Sequence, residues 1–575
     1  MSPRLRQALL LAGAVAVFLA IGAIWLWRFR RGQPVHIDEA GYLSIAITDY
    51  NGLTDGGPGG LWDAVMGPSI QAPLMTALTV PVFAVAGTGI LTGLAVPLLL
   101  GGVMILAAYG LGHEVGGARV GWVALAITAG TPVVIGYSRS YNFAIASGAA
   151  TAVMLWTIAR SRTFDRLGWS VAAGAAIGLV ALSRTLTLAF LPALVVVGLI
   201  VLAASPARWR KALHLAVAAA TSLAVAGPWY YRNGEGVYDY LTSYGYGRSS
   251  SSYGDDQSLT SLESYRVMAN YTFQNVGVPV VALWVLGIGV LVGGLAVSWR
   301  RHGTRSALLR ATRSPLVPSL VWAVWCVMAL TSSGNKGTGF VAPLVPALVV
   351  ITAWAVWRVP KPLARGLAGV AVATLLLNTV VALDPRADWA HTRLVPVPWV
   401  GEEPLYSGGG VIQGYIANGR RKASTGQLSE RQGAAWHTAQ RRLTNELNDL
   451  GPAFTVFGFR HRLVNINTIQ LEQLLAGRAP LPVTMVDPVA VPNDVPTMVG
   501  YLTTGGAATS CLVLTARGLP YEMTPIVSGD LMAQAAREAG FLRTDTIGLP
   551  DGRTVIVWRR PPTCPVLAEP PAPAR

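Results

Sequence analysis

From Gln7 to Leu383 the chain alternates long apolar windows with short polar connections, and after Leu383 that alternation stops. Windows of this length without charge predict membrane-spanning helices. Eleven are read: Gln7–Trp27, Ile90–Leu111, Val120–Tyr137, Tyr141–Ala159, Gly168–Ser183, Thr185–Ala204, Ala212–Tyr231, Val276–Ser298, Pro315–Ser332, Gly339–Trp357 and Gly366–Leu383. A further apolar stretch, Ala72–Gly87, is interrupted by Pro73 and Pro81 and reads as a helix lying along the surface. Between the first span and that stretch, Ala40–Asp49 predicts a polar helix, followed by a Gly-rich turn over Gly56–Gly60. Beyond Leu383, short apolar runs (Phe454–Phe457, Cys511–Thr515, Thr554–Trp558) alternate with helical patterns (Asn467–Leu475, Gly529–Ala539). That pattern predicts a soluble α/β domain over 384–565, with a Pro/Ala-rich disordered tail over 566–575.

Charge orients the spans. Four connections are strongly basic: Arg160/Arg162/Arg166, Arg208/Arg210/Lys211, Arg300/Arg301/Arg305/Arg310/Arg313 and Arg358/Lys361/Arg365. They fall at every second connection, so all four lie in the cytoplasm together under the positive-inside rule. Arg28, Arg30 and Arg31 then lie outside, against the rule. The same orientation puts the loops 28–89 and 232–275, and the C-terminal domain, on the extracytoplasmic side of the plasma membrane. Composition agrees: 52% of the 575 residues are hydrophobic and 13% charged, against about 25% charged in soluble domains. The net charge of +16 sits mostly in these short loops, so it reads as topology and anionic-lipid contact, not nucleic-acid binding. No P-loop, dinucleotide fingerprint or zinc-finger spacing is present. Cys511 and Cys564 fall in the domain placed outside, an oxidising location, and are expected to pair; Cys326 is a mid-span thiol.

With that orientation, polar groups collect where spans emerge on the outer side: the stretch His36-Ile37-Asp38-Glu39-Ala40-Gly41-Tyr42, Gln71, Arg139 and Asn142, Arg184, Arg232, and Asn335 with Lys336. Two adjacent carboxylates suit the first turn of a helix. Alternatively, an acid pair and isolated cations at one face suit an anionic, membrane-resident ligand. Tyr238, Tyr240, Tyr244, Tyr246 and Tyr253 among Ser and Gly in the second outer loop suit either a solvated loop or contact with sugars or a peptide.

Six short stretches in order carry a family resemblance: Asp38-Glu39-Ala40-x-Tyr42, Gln71-Ala72-Pro73-Leu74, Ser138-Arg139 with Asn142, Leu182-Ser183-Arg184, Pro228-Trp229-Tyr230-Tyr231-Arg232-Asn233, and Asn335-Lys336 with Pro343 and Pro346. Together they resemble the GT-C glycosyltransferases of the protein O-mannosyltransferase and lipid A aminoarabinose transferase superfamily, over residues 1–383. Gln71 stands where the aminoarabinose type has a Lys, and Asn142 where it has an Asp, which implies a different donor or acceptor. The resemblance implies a polyprenyl-phosphate-sugar donor and an envelope glycan, lipid or protein acceptor. It also implies an inverting displacement with Asp38 as base and Glu39 orienting the acceptor or holding a cation. Arg139, Arg184 and Lys336 would bind the donor phosphate; His36, Tyr42, Gln71, Asn142, Arg232 and Asn335 would line the substrate. A divalent metal, Mg2+ or Mn2+, is the one cofactor this chemistry would accommodate, with His36 a hydrogen-bonded neighbour before it is a ligand. The rival class is a transporter or flippase for a lipid-linked or anionic solute. Such proteins carry charges at the midplane and matching halves with broken helices, whereas the charges here lie at span ends.

Overall fold

A computed structural model of the chain describes residues 1–247, 250, 258–335, 337, 339–383, 393–405, 430–450, 453–459, 461, 463–486, 491–516 and 528–561. Among the described residues seven helices are long and apolar enough to cross a membrane, and five shorter apolar ones accompany them. Each predicted span is helical: α1 (Pro3–Phe29), α4 (Ile90–Gly116), α5 and α6 (Ala118–Gly130, Pro132–Tyr137), α7 (Phe143–Arg160), α8 (Leu167–Ser183), α9 (Pro192–Ala204, after a 3-10 turn Thr185–Phe190), α10 (Arg208–Tyr240), α12 (Val278–Thr312), α13 (Val317–Ser332), α14 (Val345–Val356) and α15 (Lys361–Leu383). The protein is thus a multi-pass α-helical membrane protein. The predicted surface helix is α3 (Leu74–Ala86).

The membrane core is built by close approach of small residues, the usual device where lipid removes the hydrophobic drive between helices. α8 packs on α10 so closely that a Cβ at Gly174 would lie 2.2 Å from the Ala218 carbonyl oxygen. α4, α5, α7, α13 and α14 share the main core, in which Trp322, Tyr137 and Phe190 are the largest fully buried side chains.

One connection follows the sequence expectation and one exceeds it. The Gly-rich stretch is the expected turn: α2 (Ile37–Val65) is two helical halves that fold back on each other at Gly57 (φ 62°, ψ −152°). Gly57 adopts a backbone closed to most L-residues, and Gly52 and Gly60 let the two halves touch, since a Cβ at either would strike the other's carbonyl. The region 232–275, by contrast, is more than a loop. α10 continues to Tyr240, and α11 (Leu262–Val276) closes the segment.

After Leu383 the chain forms a hairpin, β1 (Leu394–Val397) with β2 (Gly401–Pro404), and then a mixed sheet. The strands are β3 (Thr455–Phe457), β4 (Val483–Met485), β5 (Leu512–Ala516), β6 (Leu542–Gly548) and β7 (Thr554–Arg559), in the order β4-β3-β5-β7-β6. β3 runs parallel to β4 and β5, while β7 is antiparallel to β5 and β6. Helices α16 (Glu430–Asp449), α17 (Ile466–Leu475), α18 (Val495–Thr503) and α19 (Gly529–Glu538) complete the domain. The three apolar runs became β3, β5 and β7, and the two helical patterns α17 and α19. Cys511 is buried at the entry to β5; Cys564 and the tail lie outside the described residues.

Candidate active site

The site grows from the first turn of α2. His36 caps the helix: its Nδ1 accepts from the Asp38 N–H at 3.2 Å, and its own N–H donates to Glu39 Oε2 at 3.3 Å, a reciprocal capping box. The two acids therefore part company. Glu39 points inward and is fully bonded. Its Oε2 accepts from Arg30 Nη2 at 2.8 Å, and its Oε1 from Ser140 Oγ at 2.8 Å and the Tyr141 N–H at 3.0 Å. Burial pushes this carboxyl up, but Arg30, Ser140 and His36 outweigh it and hold it below the ordinary carboxylate range. The arginine that broke the charge rule is thus the partner of a buried acid. Asp38, one residue earlier, turns outward with 39% of its side chain exposed and His36 Nδ1 3.9 Å away.

Opposite stands Arg184, in extended backbone at the end of α8. Its guanidinium is sandwiched between the Phe143 ring at 3.9 Å and the Phe340 ring at 3.5 Å. Tyr42 meets the same Phe143 edge-on at 5.2 Å. Asp38, Tyr42, Tyr137 and Tyr240 all lie within electrostatic reach of the Arg184 charge. A buried cation needs partners; two π faces supply part of them and keep the guanidinium plane fixed.

Gln71 is half-buried in the segment before α3, and that segment is bolted to the same corner. The Ser69 N–H donates to Asn233 Oδ1 at 2.8 Å, Gln71 N donates to Ser69 Oγ at 3.0 Å, and the Thr185 hydroxyl bonds the Ile70 carbonyl. Asn142 caps α7, its Oδ1 accepting from the Ala144 N–H at 3.1 Å. Asn335 follows α13, its carbonyl accepting from Ser333 Oγ at 3.2 Å.

Other expected residues are elsewhere. Arg139 turns away: its Nη1 donates to the Ala382 carbonyl at 2.6 Å, and its guanidinium lies 4.5 Å over Trp25. Arg232 is exposed on α10, and the neighbouring Asn233 makes the bonds instead. Lys336 lies outside the described residues. Among the described residues no group of three or more His, Cys, Asp or Glu side chains gathers as metal ligands.

Sequence reading gave no role to five participants. Asn233 and Thr185 each adjoin a residue that was singled out. Phe143 and Phe340 carried no signal, because an aromatic residue beside a span reads as ordinary membrane packing. Arg30 had one: a cation at odds with the charge rule that orients the other loops.

The fold is that of the GT-C membrane glycosyltransferases. Within it, residues 70–231 match the family model for dolichyl-phosphate-mannose-protein mannosyltransferase. The fold is shared with ArnT from Cupriavidus metallidurans in the apo state (TM-score 0.56, 18% identity, 97% of this chain and 98% of that one). It is also shared with the same protein bound to undecaprenyl phosphate (TM-score 0.54, 19% identity, 95% and 97%). The archaeal oligosaccharyltransferase AglB from Archaeoglobus fulgidus, in complex with an inhibitory peptide and a dolichol-phosphate, is similar too (TM-score 0.51, 14% identity, 95% and 74%). No curated protein matches the sequence.

Proposed function

We propose that this protein transfers a sugar from a polyprenyl-phosphate donor to a hydroxyl-bearing envelope acceptor on the extracytoplasmic side of the plasma membrane, with inversion at the anomeric carbon. The observation that carries the reading is the pairing of an open carboxylate, Asp38, with a buried, aromatic-clamped cation, Arg184, within electrostatic reach at one mouth. Asp38 takes the acceptor's hydroxyl proton as its oxygen attacks the anomeric carbon. The bond from that carbon to the phosphate oxygen breaks, its electron pair leaving with the polyprenyl phosphate. Arg184 meets the charge that develops there, and its guanidinium suits two phosphate oxygens at once. A single displacement of this kind inverts the centre.

Glu39 has both oxygens engaged, so its part in this scheme is to hold the α2 turn that carries Asp38. In this scheme Gln71 and Asn142 contact the substrate, and Asn335 with Lys336 serve the phosphate side. The undecaprenyl phosphate in the ArnT structure supports the donor class.

Binding of undecaprenyl phosphate tests the reading. A charge-assisted bond to a buried group contributes about 1.5–3 kcal/mol, so Arg184→Ala should weaken undecaprenyl phosphate binding by about 10- to 100-fold. Asp38→Asn should leave it within a factor of a few. Equal affinity in wild type and a folded Arg184→Ala protein would remove Arg184 from the donor site.

A further inference from the structure

We propose that Asn467, on the C-terminal domain, is a positioning residue for Asp38, so that this domain is part of the working site; the proposal rests on Asp38 being the base. Asn467 Nδ2 donates to the carbonyl of Ile37 at 2.9 Å. Ile37 is the residue before Asp38 and the first of α2. The bond crosses 430 positions of sequence to reach the one turn on which the open carboxylate stands.

Both ends of this contact are built for it. On the C-terminal side the first turn of α17 is rigid. Asn465 caps it, its Oδ1 accepting from the N–H groups of Asn467 and Thr468 at 3.0 and 3.1 Å, while Asn465 Nδ2 donates to the His461 carbonyl at 2.9 Å. On the α2 side the facing residue is Gly41, where a Cβ would lie 2.9 Å from Asn467 Nδ2 and 3.4 Å from its Cγ. Glycine in a helix interior is unfavourable, and here it leaves room for the amide.

Leu471 and Leu474 of α17 sink into the same apolar cluster as Val35, Ala40, Leu43 and Ile47. A few residues earlier, Gln33 is buried where a Cβ at Gly433 of α16 would lie 2.4 Å from its Nε2. The segment from Gln33 to Gly41 is therefore gripped by two helices of the C-terminal domain on one side and by the Glu39 bonds on the other. Apolar burial has no direction of its own. The amide bond supplies one, fixing the height and rotation of the Asp38 turn against the membrane helices.

The test uses the full-length protein in lipid nanodiscs, with Asn467→Ala and Gly41→Ala measured beside wild type and Asp38→Asn. Substrate is whichever of a set of undecaprenyl-phosphate-linked hexoses and pentoses the wild type turns over, and undecaprenyl phosphate is the binding probe. Displacement of a reacting group by about 1 Å lowers turnover by up to about 100-fold. Asn467→Ala and Gly41→Ala should each lower kcat by about 10- to 100-fold, with undecaprenyl phosphate affinity unchanged and Asn467→Gln recovering part of the loss. A contact that only joins two domains would lower thermal stability and leave the kcat of the folded fraction intact. Should Asn467→Ala fail to fold, Gly41→Ala decides, since the substitution favours the helix and disturbs only the amide. Full kcat in Gly41→Ala, or in a folded Asn467→Ala, while Asp38→Asn is inactive, overturns the positioning role and leaves the base assignment standing. Full kcat in Asp38→Asn overturns the base assignment itself.

Discussion

Glu39→Gln should destabilise this protein more than any other single change near the mouth of the site. The Arg30 and Glu39 side chains are 2% and 4% exposed and meet at 2.8 Å. Replacing the carboxylate by an amide keeps shape and part of the bonding, but it leaves the Arg30 guanidinium buried without its counter-charge. Breaking a buried ion pair from one side costs about 3–5 kcal/mol. At about 2 °C per kcal/mol for a large domain, the melting midpoint in detergent should fall by about 6–10 °C, read from intrinsic tryptophan fluorescence. The double variant Arg30→Met, Glu39→Leu removes both charges and should recover most of that loss, because a well-packed apolar pair of similar volume is often neutral. Asp38→Asn, at a 39% exposed side chain, should melt with wild type. The pH dependence has a fixed sign. A carboxyl held below its ordinary value near 4.5 contributes fully above that value, and its contribution is lost as the pH falls through the folded-state value. A Glu39→Gln protein that melts with wild type at neutral pH would refute this assignment of the acid pair.

Two further outcomes follow from the same structure. Asp49 is 2% exposed, and burial pushes its carboxyl up from 3.8 to about 6, with a Thr76 bond only partly offsetting it; ionising it in the fold therefore costs about 3 kcal/mol at neutral pH. The penalty grows as the pH rises from 3.8 to about 6, so Asp49→Asn should raise the melting midpoint at pH 7.5 by several degrees and do less at pH 5; equal shifts at both would contradict the burial effect. For sidedness, a cysteine at Arg301 should resist an impermeant maleimide in intact cells in a Cys564→Ser background, while one at Tyr238, 66% exposed, should react; labelling of Arg301→Cys from outside would reverse the proposed orientation.

The spans were legible because lipid imposes a strong rule: a segment that crosses must be apolar and helical over its whole length. All eleven predicted windows are helical in the structure, and the proline-broken Ala72–Gly87 is the short helix α3. A run of glycines and a proline predicts a turn, and Gly57 makes it, the two halves of α2 meeting through Gly52 and Gly60. The reading fell short where local rules run out: the expected loop 232–275 holds the end of α10 and all but the last residue of α11. In the C-terminal domain, β3, β5 and β7 showed as apolar runs. β6 did not, because its residues are mostly exposed at the sheet edge.

At the site, the sequence marked Asp38, Glu39 and Arg184 but did not show which of the two acids is buried. Which of two neighbouring acids faces inward depends on Arg30, Ser140 and Tyr141, contributed by elements far apart in the chain. Arg139 looked equivalent to Arg184, and only packing turned it toward Trp25 and Ala382. The contact from Asn467 to Ile37 spans two domains, and no pattern along the chain announces it.

The central claim is that the Asp38 carboxylate works as a base in sugar transfer from a polyprenyl-phosphate donor. The direct measurement is transfer of radiolabelled sugar from defined undecaprenyl-phosphate donors by the purified protein, wild type against Asp38→Asn, on preparations of equal melting midpoint. Wild type should transfer label from at least one donor, and Asp38→Asn should be slower by about 10²–10⁴-fold with undecaprenyl phosphate affinity retained. Full specific activity in the folded Asp38→Asn protein would contradict the account.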